Sequence, residues 1–230
     1  MITRSLKKQM KVNKTALICF SVLCLIFSSG CQIIPAVLEK MFPKEEVPPK
    51  FVLPKDKIVL IFPDDFQNPV SYPPIKRRLA KKIADILIER KVITKVADYD
   101  KLVELENNRD DFNILSIPKI GELTGADIVI YISIDHFSLK DNPVDTLWRG
   151  RISCAVKVVD VKKGRIWPDE SGGYPLKVVE PQTDNASESY GIELANKLAD
   201  DLAEKVCDLF STHYVLRSRM RENEGMNLSQ

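Results

Sequence analysis

Histidine is nearly missing from this chain: 230 residues hold two, His136 and His213. Neither stands in an H-x3-H, H-E-x-x-H or C-x2-C spacing, so no zinc site of a familiar kind is encoded. The nucleophile elbow G-x-S-x-G and the phosphate loop G-x4-G-K-[ST] are absent as well. Gly121 and Gly125 are expected within and at the end of a helix, where they cradle no phosphate. His136 reads as a boundary histidine closing an apolar strand face, and the neighbouring carboxylates Asp64 and Asp65 as solvated loop residues rather than a cation site. No catalytic constellation remains, and the expectation is a non-enzymatic protein without cofactor or metal.

Long apolar runs are also scarce. The apolar run near the start, Thr15–Phe27 (TALICFSVLCLIF), has thirteen residues and no charge. As a helix it reaches about 20 Å, short of a hydrocarbon core of about 30 Å. Ahead of it lie Arg4, Lys7, Lys8, Lys11 and Lys14 with no acidic residue; after it come Ser28-Ser29-Gly30 and Cys31. A basic head, a short apolar run and a small-residue junction make a secretory signal peptide. The Gly30-Cys31 junction resembles the lipobox of bacterial lipoproteins, although Ser28 stands where that motif prefers leucine. The resemblance implies cleavage between Gly30 and Cys31, diacylglycerol on the Cys31 sulfur, and a further acyl chain such as palmitate on the new amino group. A single acyl chain binds membranes only marginally, whereas two or three anchor stably. Gln32 follows, where the inner-membrane retention signal has aspartate; by resemblance the destination is the periplasmic side of the outer membrane.

An excess of one charge is missing too. The chain has 34 Lys+Arg against 32 Asp+Glu; without the five basic residues of the signal the balance is 29 to 32, or −3. No basic stripe remains to neutralise phosphates, which excludes nucleic acid as a partner. Cys19 and Cys24 fall in the signal, leaving Cys154 and Cys207 beyond Cys31. Both lie on expected core faces, either as a disulfide, which an oxidising periplasm permits, or as two buried thiols.

The expected organisation is a signal over 1–30, a lipidated cysteine and proline-rich tether over 31–56, one domain over 57–212, and a disordered polar tail over 213–230. Pro35, Pro43, Pro48, Pro49 and Pro54 make the tether semi-extended; a short helix at Ala36–Met41 is an option. Lys57–Phe62 (KIVLIF) suits a buried strand. After the proline-punctuated loop Asp64–Pro74, Ile75, Leu79, Ile83, Ile86 and Leu87 recur at helical spacing, with Lys76, Arg77, Arg78, Lys81 and Lys82 on the outer face. Val92–Val96 reads as a strand, and Asp98 as the N-cap of a helix to about Asn107. Ser116–Gly125 reads as a short helix, Asp127–Leu139 and Leu147–Val161 as long strands, and Lys162-Lys163-Gly164 as a hairpin turn. Tyr174–Val179 is a further strand. A last helix spans Ser187–Phe210, with Ile192, Ala195, Leu198, Ala199, Leu202, Val206 and Leu209 at core spacing. The order β-α-β-α-α-β-β-β-β-α argues an α/β fold, a single mixed sheet with helices packed on it.

Four pieces fall in a familiar order: KIVLIFP, the helix after it, Ile117–Ile132 (IPKIGELTGADIVIYI), and Val156–Trp167 (VKVVDVKKGRIW). Together they resemble the envelope proteins related to the curli-secretion lipoprotein CsgG, the lipoprotein activators of penicillin-binding proteins, and the amino-terminal domain of TolB. Gly125-Ala126-Asp127 and Asp160–Trp167 stand in the matching places, and the resemblance covers roughly Lys57 to Phe210. It specifies a fold, which hosts pores, activators and assembly factors alike, so it names no job. The leading expectation is a lipid-anchored protein whose domain binds a protein partner in envelope assembly, cell-wall synthesis or secretion. Its candidate partner surface is Phe66 and Tyr72 of the loop with Lys76, Arg77 and Lys81 of the next helix. The alternatives are a CsgG-type pore subunit, with Arg149, Arg151 and Lys157 facing a lumen, and an enzyme using the Asp64–Pro74 loop. Oligomeric state is left open.

Overall fold

The computed structural model describes residues 44–142, 146–184 and 187–216, and the chain within them divides into two units. The smaller unit contains strand β1 (Lys44–Val47); the larger runs from Pro48 to His213. Cys31, Gly30 and the optional helix at Ala36–Met41 lie outside the described residues.

In the larger unit the apolar run becomes β2 (Ile58–Asp64), buried on both faces as a parallel interior strand requires. Helix α1 (Pro74–Glu89) opens with Pro74 in its first turn, where proline lacks no needed donor, and buries Ile75, Leu79, Ile83, Ile86 and Leu87. It leads to β3 (Lys95–Val96), parallel to β2 at the sheet edge. Asp98 caps α2 (Tyr99–Asn108), its side chain accepting from the Asp100 amide at 2.9 Å. One 3-10 turn (Phe112–Ile114) and α3 (Ile117–Thr124) follow. Gly125 then stops α3 in the left-handed region at φ 78°, sending its chain into β4 (Ile128–Ser138), which pairs parallel with β2 on the side away from β3. Asp127 links the two strand starts by accepting from the Ile58 amide at 3.0 Å.

Beyond β4 the sheet turns antiparallel. A two-residue strand β5 (Leu147–Trp148) precedes β6 (Arg151–Asp160), which pairs along β4 with a bulge between Ile134 and His136. At the next turn Asp160 Oδ1 accepts from the Lys162 and Lys163 amides, Gly164 takes φ 85°, and β7 (Gly164–Trp167) folds back on the end of β6. The other end of β6 pairs with β8 (Tyr174–Val179), and β9 (Thr183–Asp184) pairs with β5. Helix α4 (Glu188–Asp208) completes the domain. The sheet order is β3-β2-β4-β6-β7, with β8 also on β6, so the fold is the expected mixed α/β sheet with helices packed against it.

Helices cover both faces. On one, the even-numbered isoleucines Ile128–Ile134 with Ile152, Val156 and Val158 pack against Leu79, Ile83, Leu198, Leu202 and Val206 of α1 and α4. On the other, Leu60, Phe62, Val129 and Val159 meet Leu102, Phe112 and Ile120.

Four expectations are revised. The domain starts earlier than residue 57: Leu53 is buried, Phe51 packs on Trp167 with ring centroids 5.9 Å apart, and the Lys50 and Phe51 amides both donate to the Leu209 carbonyl. An apolar residue so near the core loses too much by staying in water, whatever the prolines around it prefer. The tail starts later than residue 213, because His213–Leu216 forms β10, paired with β1. Ile192 is 49% exposed, and Leu194 takes the core position instead. The stretch Leu147–Val161 breaks at Gly150, where a Cβ would lie 2.9 Å from Leu198 Cδ1, so the backbone passes directly over α4. Of the two readings of Cys154 and Cys207, the buried thiols hold: both are free and buried in the α1/α4 core, and the disulfide alternative is not formed. Burial pushes the Cys154 thiol up to about 12 and raises Cys207 as well, which keeps both protonated and inert at neutral pH.

Candidate partner-binding site

The chain leaves the carboxyl ends of β2 and β4 in opposite directions. From β2 it runs through α1 to β3 on one side, and from β4 it continues to β6 on the other. A crevice opens between such strand ends, the position where open α/β sheets commonly take ligands. Here the register pairs Phe62 with Tyr131 and Asp64 with Ser133. Phe62, Asp64, Phe66, Phe112, Ile117 and Tyr131 are among the residues lining a cavity of about 300 Å³.

Its aromatics form a connected set. The Phe62 ring meets Tyr131 edge-on at 5.4 Å and Phe112 at 6.2 Å between centroids. Phe66 stands at the rim with 61% of its surface exposed. Asp64 fixes the geometry from below: Oδ1 accepts from the Phe66 amide at 3.0 Å, and Oδ2 accepts from the Tyr131 hydroxyl at 2.5 Å. Burial pushes the Tyr131 phenol well above its ordinary value, and the hydrogen bond to and charge of Asp64 push it further, so it remains a donor at every physiological pH.

Asp65 serves the loop rather than a cation. Its Oδ2 accepts from the Val70 amide at 3.0 Å, and its Oδ1 pairs with Lys76 at 2.8 Å. Partial burial raises this carboxyl, but the bonds from Lys76 and Val70 outweigh burial and hold it below the usual carboxylate range. Lys76 also binds Glu106 at 3.1 Å, and these partners outweigh its own burial and raise its pKa.

The expected partner surface is therefore not one patch. Phe66 lies at the crevice as an exposed aromatic. Tyr72 is half-buried against the α1/α4 core. Lys76 is drawn inward by two carboxylates instead of facing outward. Arg77 pairs with Asp100 and lies over the Tyr99 ring at 5.5 Å, while Arg78 pairs with Asp200 at 2.7 Å. Arg77 and Lys81 line a different cavity, about 330 Å³, between α1 and α2. His136 is exposed and within 3.1 Å of the Ser138 hydroxyl. Among the described residues no group of three or more His, Cys, Asp or Glu is placed to hold a metal ion, and no helix is long and apolar enough to cross a membrane.

Phe112, Ile117 and Tyr131 were not singled out in the sequence. One signal was present: along β4 the odd positions change from Val129 through Tyr131 to Ser133. That marks where helix cover on this face ends and a half-open surface begins.

These features define a three-layer α/β domain with a crevice at its strand ends. No protein-family model matches the chain, and no curated protein is significantly similar to it. Some solved structures align with it. The lipoprotein GNA1162 of Neisseria meningitidis aligns at 16% identity with a TM-score of 0.40, covering 64% of this chain and 97% of its own. PelC of Paraburkholderia phytofirmans, solved as a dodecamer, aligns at 12% and 0.38 over 74% and 99%. A minor lipoprotein of Acinetobacter baumannii aligns at 12% and 0.38 over 68% and 91%. At these values they carry no assignment to this chain.

Proposed function

We propose that this is an envelope lipoprotein, cut before Cys31, anchored by lipid on that cysteine at the periplasmic face of the outer membrane, and holding an α/β domain that binds a protein partner. The observation that carries the anchor is the Gly30-Cys31 junction behind a basic head and thirteen uncharged residues. Residues 32–47 separate that cysteine from the domain, a reach of at most about 55 Å when extended. Partner binding is supported by the crevice with exposed Phe66 at its rim. Kinship with CsgG, the penicillin-binding-protein activators or TolB is part of the same proposal and rests on the sequence motifs.

The pore alternative needs a pair of strands of about ten residues that are free to insert. Among the described residues β4 and β6 have that length, and both lie inside the central sheet with helices against them. That observation favours partner binding.

Metabolic labelling with an alkyne palmitate in a Gram-negative host should tag the full chain and leave Cys31→Ser untagged. A tag surviving the substitution ends the anchor reading. Crosslinking in the native envelope followed by mass spectrometry should capture a specific protein through the domain. No specific partner, together with measurable hydrolytic turnover, overturns the binding role.

A further inference from the structure

The crevice has a more specific chemistry than an apolar slot. Four aromatics (Phe62, Phe66, Phe112 and Tyr131) line it together with Asp64 and the side-chain amides Gln67 and Asn113. Asp64 accepts one bond on each oxygen, from the Phe66 amide and the Tyr131 hydroxyl. A carboxylate offers about four acceptor positions, so about two remain for a ligand. Lys157 stands over the Tyr131 ring at 5.9 Å without lining the cavity, and no lysine or arginine is among the residues that do. The pocket therefore presents aromatic side chains, one carboxylate with acceptor positions left over and two side-chain amides, with no cation lining it.

An ammonium would satisfy the charge but leave the spread of acceptors unused. A guanidinium is planar, stacks on aromatic faces and carries five donors in a fixed fork that matches a carboxylate. We propose that this crevice accepts an arginine side chain presented by a segment of the partner protein. The inference rests on the partner-binding reading above and gives that partner a chemical signature. Phe66, exposed at the rim, stacks on the guanidinium or its methylenes, and Asp64 takes the charge. The volume of about 300 Å³ leaves room for the chain on either side of the arginine.

The test uses the full lipidated chain in detergent micelles and two peptides, acetyl-Ala-Arg-Ala-amide and its citrulline counterpart, which keeps the shape and removes the charge. Methyl resonances of Leu115, Ile117 and Ile120 report binding. The arginine peptide should shift them saturably and bind about ten-fold more tightly than the citrulline peptide. Asp64→Asn, which keeps an acceptor but not the charge, should lose about ten-fold. Phe66→Ala, at an exposed position, should lose a few-fold. Unchanged circular dichroism confirms that both variants fold. Equal binding of the two peptides, full affinity in Asp64→Asn, or no shift in the folded wild type overturns the proposal. Free arginine binding as tightly as the peptide overturns it too, by pointing to a small molecule instead of a protein segment. If envelope crosslinking captures a partner through another surface, only the pocket assignment falls. If the peptide binds but the envelope yields no partner, the partner reading falls instead.

Discussion

The two faces of the sheet are covered to different depths. On the α1/α4 face two long helices lie over a continuous row of branched side chains, from Val59 and Ile61 through Ile128–Ile134 to Ile152–Val158, all with little or no exposure. On the α2/α3 face the cover is two short helices and one turn. They reach only the first half of β4, so Val129 is buried, Tyr131 partly open, and the far end of the strand exposed at His136. The deep face is built from aliphatic packing; the shallow one mixes aromatics with Asp64, Ser133 and Lys157. The tightly packed core and the open crevice thus lie on opposite sides of one sheet, and the crevice sits where cover stops.

Truncation tests this division most strongly. Leu198→Ala, under the deep layer, should cost about 3–5 kcal/mol, and Ile120→Ala, under the shallow layer beside an open crevice that can collapse inward, about 2 kcal/mol. Urea midpoints at constant m-value measure both; equal losses would erase the distinction between the faces.

A smaller effect is expected from filling the close approach of α3. A Cβ at Gly121 would lie 2.6 Å from Val161 Cγ2 and 2.8 Å from Val129 Cγ2. Gly121→Val should therefore destabilise by about 1–3 kcal/mol through overpacking, although glycine is the poorer helix former. Hydrogen exchange should localise that loss to α2 and α3, leaving α4 and β4 protected. Loss of protection throughout the domain would mean that the shallow layer is not separable.

The smallest effect concerns the loop that carries Phe66. Asp65→Asn removes the pairing with Lys76 and should cost about 1 kcal/mol at neutral pH, allowing for screening at a partly open site. Since folding holds the Asp65 carboxyl below its ordinary value, its stabilisation is complete at neutral pH and disappears as pH falls through the acid range. Lys76 is raised, so its share is lost only when pH climbs past the ordinary lysine range. The difference in urea midpoint between wild type and Asp65→Asn should accordingly shrink on acidification; a constant difference would remove Asp65 from the account.

Local signals explain why much of the fold was readable. Pro74, Asp98, Gly125 and Gly164 each act within a few residues of themselves, and each does in the structure what its chemistry suggests. The strict alternation of isoleucine in β4 identified the deep face because one side of a strand is enough to show it. What stayed hidden depends on distant partners. Ile192 matches the core spacing of α4, yet the helix rotates Leu194 inward because Gly191 must lie against Trp148, 2.7 Å from where a Cβ would be. Lys76 looked like one of five equivalent surface cations until Asp65 and Glu106 converged on it from two other segments. Tyr131 and Phe112 are 19 residues apart and join only through Phe62, so no spacing rule could pair them.

The double acceptance at the Leu209 carbonyl, from the Lys50 amide at 2.8 Å and the Phe51 amide at 3.1 Å, has a mechanical meaning. A load applied at Pro48, where the larger unit begins, meets these two bonds first, and they share one oxygen just past the end of α4. The bond of residue 50 is loaded ahead of that of residue 51, because it lies nearer the load. Phe51 must then leave Trp167, and Leu53 the core, before tension reaches the first strand of the sheet. The lead-in segment is thus fastened in series, by two bonds, one ring contact and one buried leucine, ahead of the sheet.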